Sequence, residues 1–192
     1  MLVIGLAVCL PALAEHDSLD CINCHVPSRT ANVIDPVALE EGRWSAEQTW
    51  DGVTSYRLYD SPTLDARDMS QPNGSARLCL GCHDGSNMSF SAAAGRPAAF
   101  GPSDLALSHP VSFTYDSTLA MIDPELKDPR TAPSGTSAGG TIADDLLDDR
   151  GRLQCAACHD PHGDPAARVT LRWPYSGRPE DLTSTCRVCH VK

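Results

Sequence analysis

The sequence predicts a mostly irregular fold with short α-helices and little β structure, wrapped around something other than its own side chains. Three observations carry this. Aromatic residues are 5% of the 192, and 14 glycines and 15 prolines interrupt the chain. Such a polypeptide struggles to bury enough apolar surface to offset its conformational entropy. The signals that start regular elements mark only short stretches. A five-residue pattern, Cys-x-x-Cys-His, also recurs four times and takes up eight of the nine cysteines. The copies read Cys21-Ile-Asn-Cys24-His25, Cys79-Leu-Gly-Cys82-His83, Cys155-Ala-Ala-Cys158-His159 and Cys186-Arg-Val-Cys189-His190.

The pattern is the attachment signature of c-type haem. Two thiols add across the vinyl groups of the porphyrin, and the adjacent imidazole binds iron from the proximal side. Paired Cys-x-x-Cys knuckles also build zinc centres, and one such pair makes a redox dithiol. Neither explains a histidine after the second cysteine every time, when only seven histidines exist in the chain. Four haem c groups, each with one iron, are therefore expected. The fold class becomes a multihaem cytochrome c whose core is packed with haem, and without haem the chain is not expected to fold.

Taken in order, the elements are few. Residues 2–13 form an apolar run ending in Ala12-Leu13-Ala14, a small-x-small cleavage site. Residues 1–14 are read as a signal peptide clipped at its start, because no Lys or Arg precedes Arg29. Cleavage after Ala14 removes Cys9 and leaves eight cysteines, all committed to haem. Haem attachment of this type needs an exported, thiol-managed chain, so the protein is expected in the periplasm or outside the cell. The run is too short to span a bilayer, so no membrane span is expected in the mature chain. Asp35-Pro36 marks a helix start, Ser45 with Gln48 a capping box, and Tyr56 to Tyr59 a brief extended segment. Residues 92–101 read as a loop, and the Gly-, Ser- and Thr-rich residues 131–141 as a flexible loop or linker. Pro179 through His190 reads as the last helix, bearing the fourth motif.

Histidines organise the rest. His16 precedes the motif at Cys21 and His109 precedes the motif at Cys155, and His162 follows shortly after the proximal His159. The x-Pro-x stretch after the proximal histidine recurs in His25-Val26-Pro27-Ser28 and His159-Asp160-Pro161-His162, a degenerate internal duplication. Residues 15–192 are thus read as a single tetrahaem domain of two dihaem halves, 15–100 and 101–192. The proximal ligands are His25, His83, His159 and His190. His16, His109 and His162 remain for four distal positions, and sequence does not say which serves which iron. One haem is a ligand short. A methionine (Met69, Met88 or Met121), a lysine (Lys127 or Lys192), a neighbouring molecule or an open site completes it, with Met88 slightly favoured for its place just beyond a motif.

The formal charge of −10 makes nucleic acid a very poor partner. No Ser-His-Asp set, phosphate loop or second metal motif is visible. An electron carrier with redox protein partners or extracellular electron acceptors follows. The alternative is a haem enzyme, a small-molecule reductase or peroxidase, using an open distal site. Its support is the missing ligand, and every motif ending in histidine speaks against it. A membrane quinol dehydrogenase needs a longer N-terminal helix.

Residues 43–192 resemble the doubled Cys-x-x-Cys-His cytochromes through several linked segments. They are Tyr59-Asp60-Ser61-Pro62-Thr63-Leu64, Leu78-Cys79-Leu80-Gly81-Cys82-His83-Asp84-Gly85, Ser108-His109-Pro110-Val111-Ser112-Phe113, Leu153-Gln154-Cys155-Ala156-Ala157-Cys158-His159-Asp160-Pro161-His162 and the terminal Cys186-Arg187-Val188-Cys189-His190. The wider group includes tetrahaem cytochromes that polymerise into extracellular nanowires. The resemblance implies mostly bis-histidine haems, multi-step electron transport, and a homopolymeric filament as one mode of assembly. In some such filaments a histidine of one subunit ligates a haem of the next, a role that would suit His16. The family usually has histidine where Ser28 stands, and that departure leaves this chain one ligand short even in a homopolymer.

Overall fold

The structure is a computed structural model, and it describes residues 55–83, 104–163, 171–174 and 178–191. Among the described residues four short helices and one 3-10 turn punctuate irregular segments: α1 (Gly74–His83), α2 (Ser117–Ile122), α3 (Ile142–Asp145), the 3-10 turn Cys155–Ala157, and α4 (Pro179–Cys189). Among the described residues β structure is confined to isolated bridges, such as Arg57 with Asp104 and Leu126 with His190. This is the short-helix, strand-poor architecture expected from composition. Of the extended segment expected at Tyr56 to Tyr59, a single parallel bridge at Arg57 is formed. The elements expected at Asp35-Pro36, Ser45 and residues 92–101 lie outside the described residues.

Local chemistry explains each helix. Asp116 caps α2 by accepting the Leu119 amide at 2.8 Å. Thr141 and Asp144 form a reciprocal capping box that holds the single turn of α3. Pro179 starts α4, with Glu180 and Asp181 in its first turn and Arg187 in its last, the order its dipole favours. Helix α4 is the last helix that the sequence predicts, ending with His190 as its cap.

These caps matter because they aim apolar residues into one small core. Phe113, Tyr115, Leu119, Ile142, Leu146, Leu153 and Ala157 form it, with Met69, Trp173, Val188 and Cys189 packed against it. Ala157 comes from the third motif, and Val188 and Cys189 from the fourth, so two motifs are rooted directly in the core. The second motif is tied in by polar contacts. Ser112 takes the left-handed region at φ 67°. There its buried hydroxyl accepts the Asn73 amide at 3.0 Å and donates to the Gln154 carboxamide at 3.2 Å. Gln154 also donates to Asp148 at 3.0 Å and to Asn73 at 3.2 Å. This network joins the start of α1 to the residue just before Cys155. Gly74 is required at that junction: its φ is +54°, and a Cβ there would stand 2.9 Å from the Gln154 amide nitrogen.

Residues 131–141, expected as a flexible loop or linker, form instead a structured loop. Ser134 is fully buried, its amide donates to the Gly140 carbonyl at 3.0 Å, and its own carbonyl accepts the Trp173 indole at 3.2 Å. The physical reason is Asp145, whose carboxylate accepts hydroxyls from Ser134, from Ser137 at 2.7 Å and from Thr136 at 3.3 Å. Hydroxyl-rich composition signals a loop, but here the hydroxyls converge on one anion.

Those bonds hold the Asp145 carboxyl below its ordinary range, Ser134 first and Ser137 next. A lowered folded-state pKa means the unfolded chain takes up protons more readily. The stabilisation is therefore complete above the unfolded value of about 3.9 and is lost as pH falls through the lower folded value. The protection of the Ser134 amide relative to its intrinsic exchange rate is expected to fall over that acid window in the wild type. In Asp145→Asn that protection is expected to be lower at neutral pH and constant across the window.

Candidate haem centres

Each described motif sits on a helical turn, and that placement is what the chemistry needs. In a helix, residues three apart lie on one face, so the two thiols of Cys-x-x-Cys project to the same side one turn apart. Cys79, Cys82 and His83 occupy the last turns of α1. Cys155 opens the 3-10 turn, and the His159 amide returns to the Cys155 carbonyl at 3.0 Å. Cys186 and Cys189 occupy the last turn of α4, and the His190 amide returns to the Cys186 carbonyl at 2.9 Å. The repeated amide-to-carbonyl bond sets the proximal histidine at a constant offset from the first thiol. Cys21, Cys24, His25 and His16 lie outside the described residues, as does Met88.

Tertiary packing brings the described motifs together. Helix α1 packs on the 3-10 turn. The neighbouring Cys155 thiol, reinforced by burial, pushes the Cys79 thiol up. The Cys158 thiol is pushed up by burial and then by Cys186. Cys189 is pushed up to about 12 by burial and by Cys158, with Lys127 opposing. The third and fourth motifs thus stand in one another's field. Cys79, Cys155, Cys158, Cys186 and Cys189 are all unbridged, the state that thioether formation requires. Among the described residues no three His, Cys, Asp or Glu side chains gather to hold a bare metal ion.

The fourth motif is clamped from outside. The Lys127 amide donates to the Cys189 carbonyl at 2.8 Å, and the Val191 amide donates to the Glu125 carbonyl at 2.8 Å. The Tyr115 hydroxyl donates to the Lys127 carbonyl at 2.5 Å and reaches the Cys189 carbonyl at 3.5 Å. Lys127, one of the lysines considered as a ligand, places its ammonium on the Arg187 carbonyl at 2.5 Å, covering an orphan carbonyl at the end of α4. Sequence reading did not single out Tyr115. Its only local signal is the alternation of Val111, Phe113 and Tyr115. Tyr115→Phe is expected to cost about 1–2 kcal/mol of unfolding free energy. In the haem-loaded protein this would appear as a lower denaturation midpoint with an unchanged Soret band.

The remaining candidate ligands are distributed unevenly. His109 is exposed, its Nδ1 is 2.9 Å from the Pro110 carbonyl, and its ring centroid is 6.3 Å from that of His190 with an interplanar angle of 70°. His162 is exposed in the turn that its amide closes on Asp160 at 2.9 Å. Met69 packs against the core, whereas Met121 is 77% exposed on α2.

The residues present fit covalent haem. Thiol pairs at helical spacing precede an imidazole, and large apolar side chains stand uncovered beside the histidines, Leu107 at 96% and Val191 at 61% exposure. No helix among the described residues is long and apolar enough to cross a membrane.

Residues 150–192 match the family model of the doubled CXXCH motif. The match contains the third and fourth motifs and leaves the segments before residue 150 outside it. Against curated proteins the chain finds no match. The matched motifs indicate covalent haem c and a multihaem c-type cytochrome, a class that generally carries electrons and is typically exported.

Proposed function

We propose that the chain is an exported tetrahaem electron carrier, a single domain of two dihaem halves (residues 15–100 and 101–192). It would pass electrons among closely spaced haems to redox proteins or extracellular acceptors. The observation that carries this reading is the convergence of three of the four Cys-x-x-Cys-His motifs on one small body, with Cys79 against Cys155 and Cys158 in the field of Cys186 and Cys189. Each bound haem supplies an iron that accepts and returns one electron. The chain holds the porphyrins through paired thiols and presents His83, His159 and His190 as proximal ligands, with His25 for the first motif. Helix packing fixes their spacing. Coupled potentials follow from such proximity, because charge on one centre is felt at the next.

Assembly into a filament extends the same reading, with His16 near the mature N-terminus as a donor to a neighbouring subunit. Electron microscopy of the exported protein distinguishes filaments from monomers. The competing reading, an enzyme at an open haem, draws on one observation: three histidines outside the motifs for four irons.

Intact mass and pyridine haemochrome analysis are expected to give four haems per chain. Reductive titration is expected to proceed reversibly through all four. Fewer than four haems would overturn the tetrahaem assignment. One carbon monoxide bound per chain, together with turnover of a small oxidant, would replace the carrier by the enzyme.

A further inference from the structure

We propose that His109 and His190 are the two axial ligands of one iron, that of the haem carried on Cys186 and Cys189. This rests on reading the fourth motif as a haem site and adds the identity of the distal ligand.

The separation of the rings is the first observation. Their centroids stand 6.3 Å apart. An imidazole nitrogen binds a first-row metal at about 2.0–2.1 Å, and its ring centroid lies about 1.1 Å further back, so two imidazoles trans across one iron have centroids about 6 Å apart. An edge-to-face aromatic contact can share that spacing, and other features separate the two. A packed aromatic pair is buried, whereas His109 is exposed. Leu107, two residues before His109, is 96% exposed, and Val191, next after His190, is 61% exposed. A porphyrin between the imidazoles supplies the apolar surface these side chains lack. The thiols that anchor it, Cys186 and Cys189, immediately precede His190.

The second observation is the tautomer. His109 Nδ1 is 2.9 Å from the Pro110 carbonyl oxygen. A carbonyl only accepts, so the proton sits on Nδ1 and the lone pair on Nε2. That is how a metal-ligating histidine is oriented and made more basic by its outer partner.

The third observation is how firmly His109 is presented. On one side Leu105 is buried, and both the amide and the hydroxyl of Ser108 donate to its carbonyl, at 3.1 and 2.8 Å. On the other side the Ser112 amide donates to the Leu153 carbonyl at 2.6 Å. Pro110 restricts the backbone of His109 to the extended region. Across the gap, the bridge of His190 with Leu126 and the α4 cap fix the backbone that carries the proximal ring. Two imidazoles carried on held backbone need little rearrangement when the iron between them changes charge. Their 70° interplanar angle predicts the strongly anisotropic low-spin ferric EPR signal of near-perpendicular ligand planes.

The test uses the haem-loaded full chain. Haem per chain is counted first, so absence of haem on the fourth motif, which refutes the function proposed above, is separated from failure of the pairing. His109→Ala is expected to raise carbon monoxide binding by one haem per chain over wild type and to remove one strongly anisotropic low-spin EPR signal. No change in either would overturn the pairing. In a Cys186→Ser/Cys189→Ser background, which leaves out the fourth haem, His109→Ala is expected to add no carbon monoxide binding. One further binding haem there would assign His109 to another iron and overturn the proposal. If that background fails to fold, His109→Met in the full chain keeps the question open to NMR. The haem methyl resonances that move are expected to show Overhauser contacts to Tyr115, which reaches the Cys189 carbonyl. Contacts to residues around another motif instead would overturn it.

Discussion

Replacing all eight motif cysteines with serine is expected to abolish cooperative folding. Among the described residues the buried apolar set has ten members, two of them alanine. That is a small core for the segments it holds together, and a composition of 5% aromatic residues with 14 glycines and 15 prolines offers little apolar bulk elsewhere. The deficit shows on the surface, where Leu107, Met121 and Val191 are 96%, 77% and 61% exposed. Covalently held porphyrins supply apolar surface that side chains do not, and their thioethers also close loops in the unfolded chain. The serine variant should show the far-UV circular dichroism of a largely unordered chain and no thermal transition, while the haem-loaded protein melts cooperatively. A sharp transition in the serine variant would show that the polypeptide core suffices by itself.

In the haem-loaded protein, Ile142→Ala is expected to cost about 2–5 kcal/mol, a large share of the stability of an ordinary domain. Ile142 is fully buried and sits at the first position of α3, a helix of one turn. Its amide donates to the Ala132 carbonyl at 2.9 Å, and its carbonyl accepts the Leu146 amide at 3.0 Å. The backbone is thus pinned on both sides and cannot collapse into the space left by the lost side chain, which puts the cost toward the upper end of the range. Ile142→Val leaves most of the side chain and should cost about 0.5–1.5 kcal/mol. Denaturant titrations of the two variants should differ in midpoint with similar slopes. Equal midpoints would mean that the haems, and not this cluster, limit unfolding.

Attachment chemistry was legible because it is local. Cys-x-x-Cys-His places both thiols and the imidazole within one helical turn, so the pattern is the same wherever the chain puts it. Helix α4 was legible too, since Pro179 starts it, acids follow, and its end coincides with a motif. Helix α1 was not legible. It opens on Gly74 in a left-handed conformation, a poor start by local rules, and is held through Asn73 by Ser112 and Gln154, which come from distant parts of the chain. Residues 131–141 misled for a related reason: their hydroxyls read as solvent-loving until Asp145 is placed among them.

The sequence by itself determined the covalent haem chemistry and the strand-poor class, because covalent spacing and composition do not depend on the fold. Only the tertiary structure decided that α1 lies on the 3-10 turn of the third motif, that Tyr115 and Lys127 clamp the fourth, and that His109 faces His190 at 6.3 Å. Those arrangements join residues far apart in the chain. Their geometry is set by the packing of one small core, to which no short stretch of sequence is a guide.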